Sequence, residues 1–269
     1  MRRWWLTGGV WLLCALPCFS RTTMLNNRPD TCRMTVETHP AVSDPELTAI
    51  DRRFVREAAC RHNELTPVQS KLIACVCLTG LQALPQLRDQ ACEALREGVS
   101  PEQLREAIYL CAPFIGFPRT EQAVATLNEV FAETGLPLPL PSQATVAEAD
   151  RHSRGAAIQQ PLYGNEIRDA FAGLPDGMGA RVTDLLTEVC FGDFYTRGGL
   201  DVPTRELLSL VLLTTLGAER QIAAHTAGNL RAGNDRATLC AALIQCLPYA
   251  GFPAVLNALR IVQSVAPES

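Results

Sequence analysis

Lysine is almost missing from this chain of 269 residues, occurring once, at Lys71. That leaves little scope for Schiff-base chemistry and none for a lysine-rich nucleic-acid surface. Charged residues make up only 19%, the net charge is −4, and beyond the N-terminus no basic run exceeds Arg52-Arg53. Nucleic acid is therefore not an expected partner. There are four histidines, and His39, His62 and His152 fall in linker or edge regions, so a metal site with three or four protein ligands is not expected. The glycines of Arg197-Gly198-Gly199 lack the strand before and helix after that a phosphate loop requires, and read as a turn. No cofactor is implied. Nowhere does the chain show a sustained alternation of apolar and polar residues, which excludes an extensive sheet.

With 47% apolar residues the composition is that of a globular protein with one large or two small domains. Residues 1–20 read as a cleavable signal peptide: Arg2-Arg3, then a mostly apolar uncharged stretch from Trp4 to Leu16, then Cys18-Phe19-Ser20 with small residues at the cleavage positions. Thirteen residues cover roughly 20 Å of helix, too short for a comfortable bilayer span. The expected location is periplasmic or secreted, with no stable membrane span after cleavage. Whether export is general secretory or twin-arginine stays open. Nine cysteines follow the signal, an odd number, so at least one is free or pairs with another chain. Cys75, Cys77, Cys111, Cys240 and Cys246 sit in apolar helical patterns and read as small buried hydrophobes.

Residues 21–44 read as a polar tether. Helical periodicity then dominates. Thr66-Pro67 marks the start of a helix ending at Gly80, and Ser100-Pro101-Glu102-Gln103 has capping-box spacing with proline at the first helical position. Residues 135–165 carry Pro137, Pro139, Pro141, Gly155 and Pro161 and read as a linker. On either side the chain repeats itself with an offset of 135. Leu72 matches Leu207, Gln86 matches Gln221, Gly98 matches Gly233, and Gly116-Phe117-Pro118 matches Gly251-Phe252-Pro253. The predicted fold is all-α, built from two homologous helical halves, 45–134 and 166–269, packed as a tandem pseudo-dimer. The apolar run Leu207–Leu213, broken only by Ser209, predicts a helix buried on all sides and further association of chains.

The two copies differ at polar positions. Glu206 replaces Lys71, Arg205 replaces Ser70, His225 replaces Gln90, Asn229 replaces Ala94 and Tyr249 replaces Phe114. Gln221, His225 and Asn229 are spaced i, i+4, i+8 and form one row along a helix. A carboxylate at the edge of an apolar run needs a partner, and an imidazole is one that also exchanges protons. The residues thus point to a Glu206–His225 acid/base pair, with Arg205 or Arg197 holding an anionic ligand and Gln221 or Tyr249 stabilising an oxyanion. A purely structural hydrogen-bond row between helices is the alternative reading.

Arg205-Glu206-Leu207, Gln221-x-x-x-His225, Gly233 and Pro248-Tyr249-x-Gly251-Phe252-Pro253 resemble the carboxymuconolactone decarboxylase family, in particular its tandem, signal-bearing members within the alkylhydroperoxidase-like superfamily. The resemblance implies an all-helical fold assembling as trimers or hexamers, with Glu206 and His225 at the active site. Peroxidase-type relatives use a Cys-x-x-Cys pair just before the histidine, and those places hold Ala218 and Gln221, which argues against a thiol peroxidase. Two readings follow. One is a cofactor-free acid/base enzyme, a lyase acting on a small carboxylated or lactone substrate. The other is a non-catalytic exported helical oligomer that binds a small ligand or a partner.

Overall fold

A computed structural model describes residues 44–59 and 64–266. The expected signal peptide and all but the last residue of the tether lie outside the described residues. Within them every regular element is helical. The first half contains α1 (Pro45–Ala59), α2 (Pro67–Gly80), α3 (Leu84–Arg96), α4 (Pro101–Tyr109), α5 (Ala112–Ile115) and α6 (Phe117–Glu133). A middle segment contributes α7 (Arg151–Tyr163) and α8 (Glu166–Phe171). The second half runs through α9 (Met178–Leu186), a π-helix (Thr187–Tyr195), α10 (Val202–Leu216), α11 (Glu219–Ala232), α12 (Arg236–Gln245) and α13 (Leu247–Val265).

Local chemistry accounts for the helix ends. Thr66 and Ser100 each close a capping box, with side-chain oxygens accepting from Gln69 N at 3.2 Å and Gln103 N at 3.1 Å. Asp201 and Asp235 cap α10 and α12 by accepting from Thr204 N at 2.9 Å and Thr238 N at 2.8 Å. Gly217 and Gly233 end α10 and α11 in the left-handed region. Element starts recur 135 residues apart: Pro67 and Val202, Leu84 and Glu219, Pro101 and Arg236, Ala112 and Leu247. The shared turn recurs as well, with Gly116 at φ 84° and Gly251 at φ 77°, a conformation in which a side chain is strained. In the second copy the same non-helical turn at Gly251 (φ 77°, ψ 165°) interrupts α13, as Gly116 (φ 84°, ψ 157°) separates α5 from α6.

The core is continuous across the halves. Helix α10 packs on α2, α11 and α13, and α2 packs on α3 and α4. Leu207, Leu208, Leu210, Val211, Leu212 and Leu213 are all buried, so the apolar run is enclosed on every side. Part of that enclosure is α2, the repeat-related helix of the other half. Helix α1 lies against α12 and α13 of the second half, with Phe54 stacked on Phe252 at 5.7 Å.

The segment 135–165 corrects the sequence reading. Its first part is irregular, but residues 151–163 form α7, with Pro161 inside the last turn. Pro161 and Gly155 suggested a break, yet neither acts as one. Gly155 is instead required for a close helix crossing, because a Cβ there would meet Gly192 N at 2.7 Å. A Cβ on Gly192 would meet Arg151 O at 2.5 Å. Arg151 locks the crossing with a two-pronged ion pair to Asp193, Nε donating at 2.6 Å and Nη2 at 2.5 Å. The helix α7 and the π-helix therefore form one tightly joined pair.

Candidate active site

Glu206 stands in the second turn of α10, fully buried, with both carboxylate oxygens engaged. Tyr195, from the end of the π-helix, donates to Oε1 at 2.7 Å, and its hydroxyl also lies 3.0 Å from Ser209 Oγ. Tyr163, the last residue of α7, donates to Oε2 at 2.6 Å. His225 Nδ1 lies 2.9 Å from Tyr163 Oη and 3.2 Å from Glu206 Oε2. Hydrogen-bond logic assigns the imidazole proton. The Tyr163 hydroxyl has one hydrogen, directed at the carboxylate, so its oxygen is free to accept from Nδ1–H. Neutral His225 then carries its lone pair on Nε2.

That nitrogen makes no hydrogen bond to any described residue and is not among the buried polar atoms left without partners. The His225 side chain keeps 15% of its surface exposed. Tyr163 and Phe114 flank the imidazole at ring-centroid distances of 5.4 and 5.7 Å, both edge-on. The site therefore presents a base to solvent from a frame that is otherwise closed.

Asn229, one turn beyond His225, ties the frame together. Its Nδ2 donates to Glu206 O at 3.0 Å and His225 O at 2.8 Å, and its Oδ1 accepts from Asn234 Nδ2 at 2.8 Å. Gly228 lets Tyr163 and Glu206 in: a Cβ there would stand 2.6 Å from Tyr163 Oη and 2.9 Å from Glu206 Oε2. At the same place in the first copy stands Glu93, which pairs with Lys71 at 3.0 Å. Glu97 adds a second contact to Lys71 at 2.9 Å. The first copy thus holds a partly exposed ion-pair cluster where the second holds the carboxylate–imidazole pair.

The structure brings Glu206, His225 and Asn229 together and leaves the other sequence-predicted residues apart. Gln221 is exposed, one turn before His225. Arg205 and Arg197 turn away from the site. Arg197 binds Glu106 of α4 through Nε at 2.7 Å and Nη2 at 3.0 Å, and Arg205 Nη2 donates to the carbonyls of Arg197 at 2.8 Å and Gly198 at 2.9 Å. Adjacent residues on a helix diverge by about 100°, so when Glu206 faces α11 Arg205 faces elsewhere. Tyr249 lies by α2, where burial and then the nearby Cys77 and Cys75 push its phenol up. Its repeat mate Phe114 is the one that meets His225, so residues of this turn serve the opposite half.

Sequence reasoning missed Tyr163, Tyr195, Ser209, Gly228 and Phe114. Of these only Gly228 left a signal, since a glycine inside a helix pattern facing Glu93 in the other copy marks a close approach.

Burial and then the Glu206 charge push the phenols of Tyr163 and Tyr195 far above the ordinary tyrosine value. With Tyr249, at least three of the four tyrosines stay protonated in the folded chain. Because the folded values lie above the unfolded one, their stabilising contribution is complete below about pH 10 and is lost as pH rises beyond it. Alkaline titration should show phenolate absorbance from these tyrosines appearing only together with loss of helical circular dichroism. Phenolate absorbance well before unfolding would contradict the burial. Burial and Glu206 also push the nearby Cys190 thiol up to about 12, the reverse of an activated thiolate. Among the described residues no three of His, Cys, Asp and Glu converge as metal ligands, and no helix is long and apolar enough to cross a membrane.

Comparison with known proteins bears on the same helices. Residues 180–264 match the carboxymuconolactone decarboxylase family, a stretch that includes Tyr195, Glu206, Ser209, His225 and Asn229. It is this stretch, less than half of the chain, that is similar to the carboxymuconolactone decarboxylase family. Over 85 residues the chain is 35% identical to an uncharacterized 15.0 kDa protein of Paracoccus denitrificans, covering 31% of this chain and 63% of that protein. Over 119 residues it is 23% identical to the 4-carboxymuconolactone decarboxylase of Acinetobacter baylyi, covering 44% of this chain and 88% of that one. Tyr163 and Phe114 come from outside the stretch matched to the family, so this carboxymuconolactone decarboxylase-like site is completed by other parts of the chain.

Proposed function

We propose that the protein is an acid/base enzyme, needing no cofactor, that acts on a small carboxylated or lactone substrate, with His225 as the proton carrier. The carrying observation is the triad of contacts among Tyr163, Glu206 and His225, which holds Nδ1–H inward and leaves Nε2 outward. When His225 takes a proton at Nε2, its Nδ1 side still lies 3.2 Å from the Glu206 carboxylate. In a decarboxylation the carbon–carboxylate bond breaks, CO₂ leaves, and the electron pair remains as an enolate. The Nε2 proton is then delivered to the carbon. Tyr163 and Tyr195 do not titrate in the working range and act as fixed donors that hold the Glu206 side chain in place.

The relatedness to a decarboxylase of Acinetobacter baylyi supports lactones bearing a carboxylate, and β-keto acids, as the first compounds to test. The assay is CO₂ release across such a panel, with Glu206→Gln as the control. Glutamine keeps one oxygen to accept from a tyrosine, meets the other hydroxyl with an amide N–H, and loses the charge that pairs with an imidazolium, so turnover is expected to fall at least about tenfold. A panel without turnover, combined with saturable binding of the same compounds, would instead favour the non-catalytic ligand-binding reading.

The same reading includes self-association. Exposed apolar residues recur at repeat-related positions: Leu47 and Val182, Ile50 and Leu185, Leu81 and Leu216, Phe117 and Phe252. Scattered exposed apolar side chains are ordinary, but pairs kept in register present the same face twice. Light scattering at micromolar concentration is expected to return a trimer or larger, and a monomer would refute this part. The exported location rests on residues 1–20 alone, and N-terminal sequencing of the mature chain tests it.

A further inference from the structure

The most unusual charge arrangement lies outside this site. Three guanidiniums, those of Arg105, Arg197 and Arg205, surround a single carboxylate, Glu106. Glu106 and Arg205 are fully buried and Arg105 nearly so. Arg197 makes the close two-pronged pair with Glu106, while Arg105 Nε stands 3.5 Å and Arg205 Nη2 3.7 Å from it. Arg105 spends Nη1 and Nη2 on Leu140 O at 3.1 Å and Pro141 O at 2.7 Å. Arg205 spends Nη2 on the carbonyls of Arg197 and Gly198. That leaves Arg105 Nε, Arg205 Nε and Arg205 Nη1 buried with no hydrogen-bond partner. Glu102 and Asp201, the other carboxylates on the adjoining elements, form no ion pair with any of the three arginines within 4.0 Å; Asp201 caps Thr204 N instead.

We infer that Arg105, Arg197 and Arg205, with Glu106, form a buried site for one small monovalent anion of halide size. One carboxylate balances one guanidinium, and a buried unpaired charge costs several kcal/mol. A water molecule would satisfy N–H groups without supplying charge, whereas a halide does both. Burial holds the Arg205 guanidinium below its ordinary value despite Glu106, so the existing carboxylate under-compensates. A structural lock explains part of the cluster, since it fastens residues 140–141 and 197–198 to α4 and α10. It does not explain a third guanidinium with free donors. Nor does the repeat demand it, because Ser70, Cys240 and Ala241 stand at the places of Arg205, Arg105 and Glu106 in the other copy.

Two measurements on the full chain decide the matter together. Thermal unfolding is compared in sodium chloride and in sodium gluconate at equal ionic strength, gluconate being an anion far larger than a halide. Bromide-soaked crystals are examined for anomalous scattering. The expected result is a midpoint higher in chloride by roughly 2–4 °C. It comes with a bromide peak within hydrogen-bonding distance of Arg205 Nε or Nη1. In Arg197→Gln the chloride increment should vanish. No bromide peak at the cluster overturns the inference whatever the midpoints do. A peak without any chloride effect on the wild-type midpoint overturns it too, as binding at crystal concentration only, and so does an increment that persists in Arg197→Gln. Should that variant fail to fold, the two wild-type measurements suffice.

Discussion

Replacing His225 by glutamine is expected to lower turnover by about 10²–10⁴-fold, the range for loss of one general acid/base group. Glutamine is what the first copy carries at the matching position, Gln90, half-buried on α3 without disturbing that helix. Its amide can donate to Tyr163 Oη as Nδ1–H does, so Glu206 keeps a donor on that side. What disappears is the outward nitrogen that accepts and returns a proton. Stability should change by no more than about 1 kcal/mol, chiefly through the edge contacts with Tyr163 and Phe114. The measurement is CO₂ release on any substrate found in the panel, with a denaturation curve alongside. Full activity in the variant would remove His225 from the chemistry. Unfolding would show that the row of polar residues exists for packing. The reciprocal Gln90→His is expected to gain nothing, since Lys71, Glu93 and Glu97 surround that place with an ion-pair cluster in place of a buried carboxylate.

Gly228→Ala carries the second large effect, and it acts without touching any group that handles a proton. A single methyl would stand 2.6 Å from Tyr163 Oη, 2.8 Å from Cζ and 2.9 Å from Glu206 Oε2. None of these atoms yields easily. Tyr163 is fixed at the end of α7, which Arg231 holds by donating from Nη1 to Leu162 O at 2.5 Å, and Glu206 is fully buried. The expected outcome is expulsion of the phenol, loss of the Nδ1 acceptor and at least a hundredfold drop in turnover, a misplacement effect on catalysis. For stability two terms oppose each other. Alanine gains about 1 kcal/mol of helix propensity over glycine, and overpacking costs roughly 1–3 kcal/mol, so a net loss of up to about 2 kcal/mol is expected. Combining it with Tyr163→Ala should cost less stability than the sum of the two single changes, because the clash is absent once the phenol is gone, and should not restore activity. Additive effects in this double-mutant cycle would mean that the two residues do not meet as described.

The site also shows where reading a sequence stops. Helix ends and turns were legible because they depend on near neighbours: Thr66-Pro67, Ser100-Pro101-x-Gln103, and the paired Gly-Phe-Pro turns at 116 and 251. Glu206 and His225 were legible as a difference between copies, since a polar residue against an apolar pattern asks for a partner. Arg205 and Arg197 misled because sequence adjacency to Glu206 says nothing about direction. One helical step sends Arg205 to Glu106, some hundred residues earlier in the chain. Tyr249 misled for a related reason, its turn facing the other half so that Phe114 stands by His225.

The sequence by itself therefore determined the helical class, the register of the repeat, and which copy holds the carboxylate and the imidazole. These follow from periodicity, capping and comparison of like with like, all local in the chain or fixed by a constant offset. Only the tertiary structure decided that α7 exists inside a proline-rich segment, that Gly155 and Gly192 bring it against the π-helix, and that Tyr163 and Tyr195 close on Glu206 from two elements. Those contacts join residues 11 to 43 positions apart through backbone approaches that glycine permits. No pattern along the chain encodes the direction from which a buried side chain is met.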